Sequence, residues 1–207
     1  KEIHGNELML YQQQGLFAEL ELMRNLFSYR TKDETVRGWL GPGRGKHDFE
    51  LSDLSIEVKS TRTEPASKIS ISNITQTDPG FREPACPLFL TVLVLRHATN
   101  QGASLPELVG DIRAELEAEP ASAQLFEASL ALAGYLDEHA EKYESNKFQV
   151  IETRLYRVED EFPRVRHEEL PSGITNVKYD LDLSSLDAFS ADYDVWLSSI
   201  RATETDE

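Results

Sequence analysis

The sequence predicts an α/β fold: a central β-sheet covered by helices, with an additional strand-rich region toward the C-terminus. Three patterns carry that reading. Apolar residues recur at three- and four-residue steps through 10–29 and again through 104–116, as amphipathic helices require. Side chains alternate in character through 55–60 and 68–74, as half-buried strands require. The run LFLTVLVL at 88–95 is almost continuously apolar, the signature of a central strand covered on both faces. At 207 residues, 40% hydrophobic and 28% charged, the chain can bury one sizeable core. The expected organisation is a single domain over 1–198, with a core at about 10–145, a β-rich extension at about 147–198, and a polar tail over 199–207.

In chain order, LYQQQGLFAELELMRNLFSY at 10–29 is the first helix, its stripe formed by Leu16, Leu20, Met23 and Leu26 or Phe27. Glu19 lies on or beside that stripe, where a carboxylate needs either a partner or a path to water. Thr31 to Arg37 reads as a polar connection. GWLGPGRGK at 38–46 holds four glycines and one proline, so it is a loop, and Arg44, Lys46 and His47 cluster at its end. DFEL at 48–51 and SIEVKS at 55–60 are two short strands joined through Ser52-Asp53. In the second, Ile56 and Val58 face one way while Glu57 and Lys59 face the other. KISISNI at 68–74 is a third strand. Ser104-Leu105-Pro106-Glu107 is a helix start with a capping serine and an answering glutamate. A second helix is expected over about 122–141, then a strand at 148–158 and a partner strand for it at 174–183.

Composition narrows the function classes. Cys86 is the only cysteine, so neither an intrachain disulfide nor a thiolate metal cluster can form. No apolar run approaches the length of a membrane span, and no signal-peptide pattern opens the chain. These features predict a cytoplasmic protein without membrane partners. The net charge of -16 argues against non-specific nucleic-acid binding by the whole surface. The acidity is uneven: 12 Lys/Arg accompany 13 Asp/Glu in residues 1–100, whereas 9 accompany 24 in residues 101–207. A locally neutral or basic face near Asp48 is therefore compatible with the total. The five histidines form no HExxH, and the GxSxG, Walker and dinucleotide-binding motifs are absent. Trp39 and Trp196 could stack on bases or pack in the core.

Asp48, Glu57 and Lys59 remain. Phosphodiester hydrolysis needs a divalent cation, an activated water and compensation of the charge that develops on phosphate. Magnesium takes oxygen ligands and keeps several waters, so two carboxylates and a backbone carbonyl suffice. Asp48 and Glu57 could supply the carboxylates, and Val58 the carbonyl. Lys59, on the Glu57 face, would orient the water and balance charge. Glu19 could add a further carboxylate. The plainer alternative is a solvated surface hairpin of near-neutral energetics.

The combination Asp48, then Glu57-Val58-Lys59, resembles the PD-(D/E)XK nuclease superfamily, with His47 standing where the proline would be. The larger likeness is to a bacterial family assigned to that superfamily (DUF4420-like), found among genes of phage-defence and restriction-like systems. It is carried by GLFAELELMRNLF at 15–27, GWLGPGRGKHDFEL at 38–51, IEVKST at 56–61, ISISNITQ at 69–76 and LPEL at 105–108. The resemblance implies a restriction-endonuclease-like core, a mixed central sheet flanked by helices, and a Mg2+-dependent deoxyribonuclease in which Mn2+ can substitute. It assigns Asp48 and Glu57 to the metal and Lys59 to hydrolysis. Glu19 takes the place of a first-helix acid, and Gln76 that of a residue following the third strand. It also implies further sequence before Lys1.

DNA contacts would then come from Arg44, Lys46, His47, Arg62 and Lys68, with Arg37 extending the track. A homodimer and protein partners of a defence complex are further expectations. Two alternatives stay open. One is an inactive restriction-like scaffold that binds a basic protein through its acidic C-terminal half. The other is hydrolysis of RNA or small phosphoesters.

Overall fold

The computed structural model describes residues 7–41, 45–80, 86–98 and 101–200. Helix α1 spans Leu10–Leu26 and buries Leu16, Leu20, Met23 and Leu26 along its expected stripe. Residues 32–38, expected as a connection, form a second helix, α2 (Lys32–Gly38). Thr31 caps it by accepting from the Glu34 amide at 3.2 Å, and Asp33, Glu34 and Arg37 sit at the dipole-compatible ends. It buries only Thr35, Val36 and Gly38, too few to mark an apolar stripe.

Strand β1 is Phe49–Glu50, shorter than the expected 48–51. The Leu51 amide bonds the Leu54 carbonyl at 2.8 Å, and this tight turn returns the chain as β2 (Ser55–Thr61), antiparallel to β1.

The main sheet runs β1-β2-β4-β6-β5, with β4 at Leu88–Ala98, β6 at Lys147–Val158 and β5 at Ala103–Ser104. A further short strand, β8 (Ser190–Ala191), also pairs with β6. Because β4 is parallel to β2 and antiparallel to β6, the sheet is mixed. The chain passes from β4 to β5 around the end of β6. There Gly102 has φ +86°, and a Cβ would lie 2.2 Å from the Phe148 carbonyl oxygen, so only glycine fits. Ser104 ends β5 and caps α3 (Leu105–Glu115). Its hydroxyl accepts from the Glu107 amide at 3.3 Å, while Glu107 accepts from the Ser104 amide at 2.7 Å.

Three expectations are corrected. The strand at 68–74 is β3 (Lys68–Ile71), and it leaves the main sheet. Its partner is β7 (Tyr179–Asp182), the strand-forming part of the 174–183 segment expected beside residues 148–158. This two-stranded ribbon buries Ile69, Ile71 and Leu181 in one apolar cluster with Leu90 and Val92. The helix expected over 122–141 is α4 (Pro120–Leu132); it stops before Gly134 at φ +85°, and α5 (Ala140–Tyr143) follows a 3-10 turn. A last helix, α6 (Tyr193–Ser199), is capped by Asp192, which accepts from the Val195 amide at 2.9 Å. Residues 201–207 of the expected tail lie outside the described residues.

The two faces of the sheet are covered differently. Leu20, Met23, Leu108, Ile112, Phe126 and Trp196 come from helices and pack with Ile56, Phe89 and Leu93 on one face. The β3–β7 ribbon and the 3-10 turn at 183–189 cover the other. Since β1 is only two residues long, no strand among the described residues pairs with the outer edge of β2 beyond Ile56.

Candidate functional site

The open edge of β2 begins where β1 turns away. Trp39 forms a bridge with Phe49, and the Leu40 amide donates to the Asp48 carbonyl at 2.9 Å, which pulls the chain off the ladder. Phe49 pairs with Ile56, so one step further Asp48 stands opposite Glu57, and directly opposed residues share a sheet face. The Asp48 side chain takes over the vacated ladder position: its Oδ2 accepts from the Val58 amide at 2.7 Å. The N–H and C=O of one strand residue point to the same side, so the Val58 carbonyl also faces this edge. Lys59 Nζ donates to Glu57 Oε1 at 2.7 Å, with Glu57 buried. From α1, Glu19 accepts from Trp39 Nε1 at 2.8 Å. A cleft of about 810 Å³ runs along the edge between α1 and β3, lined by Glu19, Asp48, Val58, Lys59, Ser60 and Gln76 among others.

Three acids here share one ammonium. Burial pushes the Glu57 carboxyl up to about 8, the Asp48 charge adds to the shift, and Lys59 opposes it. Burial raises Asp48 as well, against the Lys59 charge and the Val58 amide. Glu19 is held well above the usual carboxylate range by burial and then by Asp48, with the Trp39 N–H pulling the other way. Glu19 and Asp48 nevertheless keep part of their surface toward the cleft.

Such a set favours either bound protons or added positive charge. Its donors are all hard oxygens, matching magnesium or manganese in kind. Among the described residues, however, no three His, Cys, Asp or Glu side chains already form a metal-holding group. The reason is local: Glu57 is turned to Lys59, Asp48 to the Val58 amide and Glu19 to Trp39.

Gln76 lines the cleft, but its Oε1 accepts from the Ser72 and Asn73 amides at 2.9 and 3.3 Å, capping the turn at 74–77. Lys68 also lines the cleft and pairs with Asp180 at 2.7 Å. Arg62 is exposed just past the end of β2. Lys46 lies 3.9 Å from Asp78. His47 is buried, not on an exposed loop: a ring nitrogen is 3.1 Å from the Asp78 carbonyl, and burial lowers its pKa. Arg37 pairs with Asp33 at 2.8 Å, and Arg44 lies outside the described residues. Trp39 and Trp196 are both core residues, which removes them as exposed stacking surfaces.

Sequence reasoning missed Gln14, whose Nε2 donates to Ser60 Oγ at 3.1 Å across the cleft, and the exposed Tyr11 at its rim. Neither belongs to a motif; only the docking of α1 on β2 brings them there.

Residues 1–184 match the model of one protein family, described as "Putative PD-(D/E)XK family member (DUF4420)". The chain belongs to this family. No curated protein and no solved structure matches it. The DUF4420 span takes in every element that builds the cleft and ends within the 3-10 turn at 183–189, so β8 and α6 fall outside it. Among the described residues, no helix is long and apolar enough to cross a membrane.

Proposed function

We propose that this protein hydrolyses DNA phosphodiesters with Mg2+, or Mn2+ in its place, as a nuclease of a restriction or anti-phage defence system. The observation that carries the reading is the convergence of Asp48, Glu57, Glu19 and Lys59 on the open β2 edge, where the Asp48 charge raises both neighbouring acids. The oxygens that would hold the cation are those of Asp48 and Glu57, the Val58 carbonyl and Glu19. When bound, the dication supplies charge neutralisation and lowers the pKa of water.

The chain's own groups do the rest. Lys59, only partly exposed beside Glu57, orients the attacking water and meets charge developing on the phosphate. Gln76, which lines the cleft from the turn after β3, would contact that water through its amide nitrogen. Lys68, which lines the cleft, would contact the DNA backbone, with the exposed Arg62 and Lys46 extending the track.

The test is cleavage of plasmid and single-stranded DNA with Mg2+ or Mn2+, comparing wild type with Lys59→Ala, whose folding is checked by thermal melting. Activity should require the dication and fall by about 100- to 1000-fold in the variant. Dication-dependent cleavage that survives the substitution would sink the mechanism.

A further inference from the structure

The outer edge of β6 is also open. β5 pairs only with Lys147 and Phe148, and β8 only with Leu155 and Tyr156. Between them, residues 149–154 have no strand partner on that side among the described residues. A shallow groove of about 780 Å³ follows this gap, and its lining includes every residue from 150 to 156. Successive strand residues point to opposite faces, so a groove lined by all of them runs along the backbone edge itself. The β4–β6 register shifts between Val94 and Leu95, leaving Ile151 as an extra residue. Such a bulge bends and twists the strand locally.

Chemistry selects the occupant. Asp187, Asp192 and Asp194 stand exposed along the groove, and Glu152 is already paired with Arg154 at 2.7 Å. Arg154 is the one cation of the lining. We propose that this edge accepts a basic, extended segment of a partner protein as an added β-strand, its backbone pairing with residues 149–154 and its Lys or Arg side chains meeting the three aspartates. The gap is about 20 Å long, enough for six residues. A second copy of this chain is disfavoured, because it would set the same acidic groove against itself, at a net charge of -16 per chain.

The probe is a synthetic six-residue peptide alternating valine with lysine or arginine, labelled for fluorescence anisotropy; the control carries glutamate at the basic positions. The full chain should bind the basic peptide, weaken as salt rises, and show slowed amide exchange within 149–154. Replacing Asp187, Asp192 and Asp194 together by Asn should weaken binding about tenfold. Asn at 192 can still cap α6, so a near-unchanged melting temperature reports an intact fold. Three results would overturn the proposal: equal binding of the acidic peptide, exchange protection at residues 57–61 instead of 149–154, or self-association through β6 with no peptide bound.

Discussion

The outer edges of β2 and β6 flank the same three central strands, and each opens onto a cleft of similar volume, about 810 and 780 Å³. Both clefts contain acids, yet the acids behave oppositely. At β2, Glu57 is buried and its carboxyl rises to about 8; Asp48 and Glu19 rise with it, and Lys59 is the one cation that opposes all three shifts. At β6, Glu152 is half exposed and held below its usual range by the hydrogen bond from Arg154, and the aspartates stand in water. Carboxylates at an aqueous edge are nearly free of energetic consequence and can serve recognition. Carboxylates crowded under a sheet edge carry unfavourable charge that bound protons or added positive charge relieve, which marks the β2 edge as the candidate for chemistry.

Asp48→Asn should separate the two edges most sharply. The amide oxygen can still accept from the Val58 N–H, so the fold should persist, and loss of the charge that raises Glu19 and Glu57 should increase metal-free stability. DNA cleavage should nonetheless drop by about 100-fold or more, with Mn2+ titration showing weakened binding. A variant that is both less stable and fully active would erase the contrast.

The second effect is pH dependence. Glu57 binds its proton more tightly folded (about 8) than unfolded (near 4.5), so its contribution to stability is complete below pH 4.5 and lost as pH climbs through 8. The metal-free protein should therefore lose on the order of several kcal/mol across that window, while Glu57→Gln flattens the curve in denaturant titrations. Added Mg2+ should raise the melting temperature more at pH 8 than at pH 5.5, because binding displaces that proton. The smallest effect belongs to the β6 edge: Arg154→Ala should lower stability by at most about 1 kcal/mol, seen as a small shift in the denaturation midpoint.

Much of this arrangement was legible where local pattern and tertiary demand agree. α1, β2, β4 and α3 follow directly from periodicity and from the Ser104–Glu107 box. The tight turn at Ser52-Asp53 even fixes Asp48 opposite Glu57 by counting along the strands. Short elements were harder: α2 carries a Thr31–Glu34 cap but no stripe, and α6 is only about two turns long, burying Trp196 and Leu197. The ribbon partnership of β3 with β7 joins segments more than a hundred residues apart, which alternation alone cannot reveal. Within the site, Glu19 was readable as an acid out of place; its bond to Trp39 was not, because that contact depends on how α1 lies across the loop after α2.

The position of β6 has a bearing on synthesis. It lies between β4 and β5 in space yet leaves the ribosome after both, so the place between them stays vacant until residue 158 has emerged. The nascent N-terminal half thus holds all the acids of the cleft on a platform that cannot yet close, and β5, with the helix start it anchors, has nothing to lean on. A product truncated near residue 145 should remain uncompacted, with the cleft's acids left on an unfinished sheet.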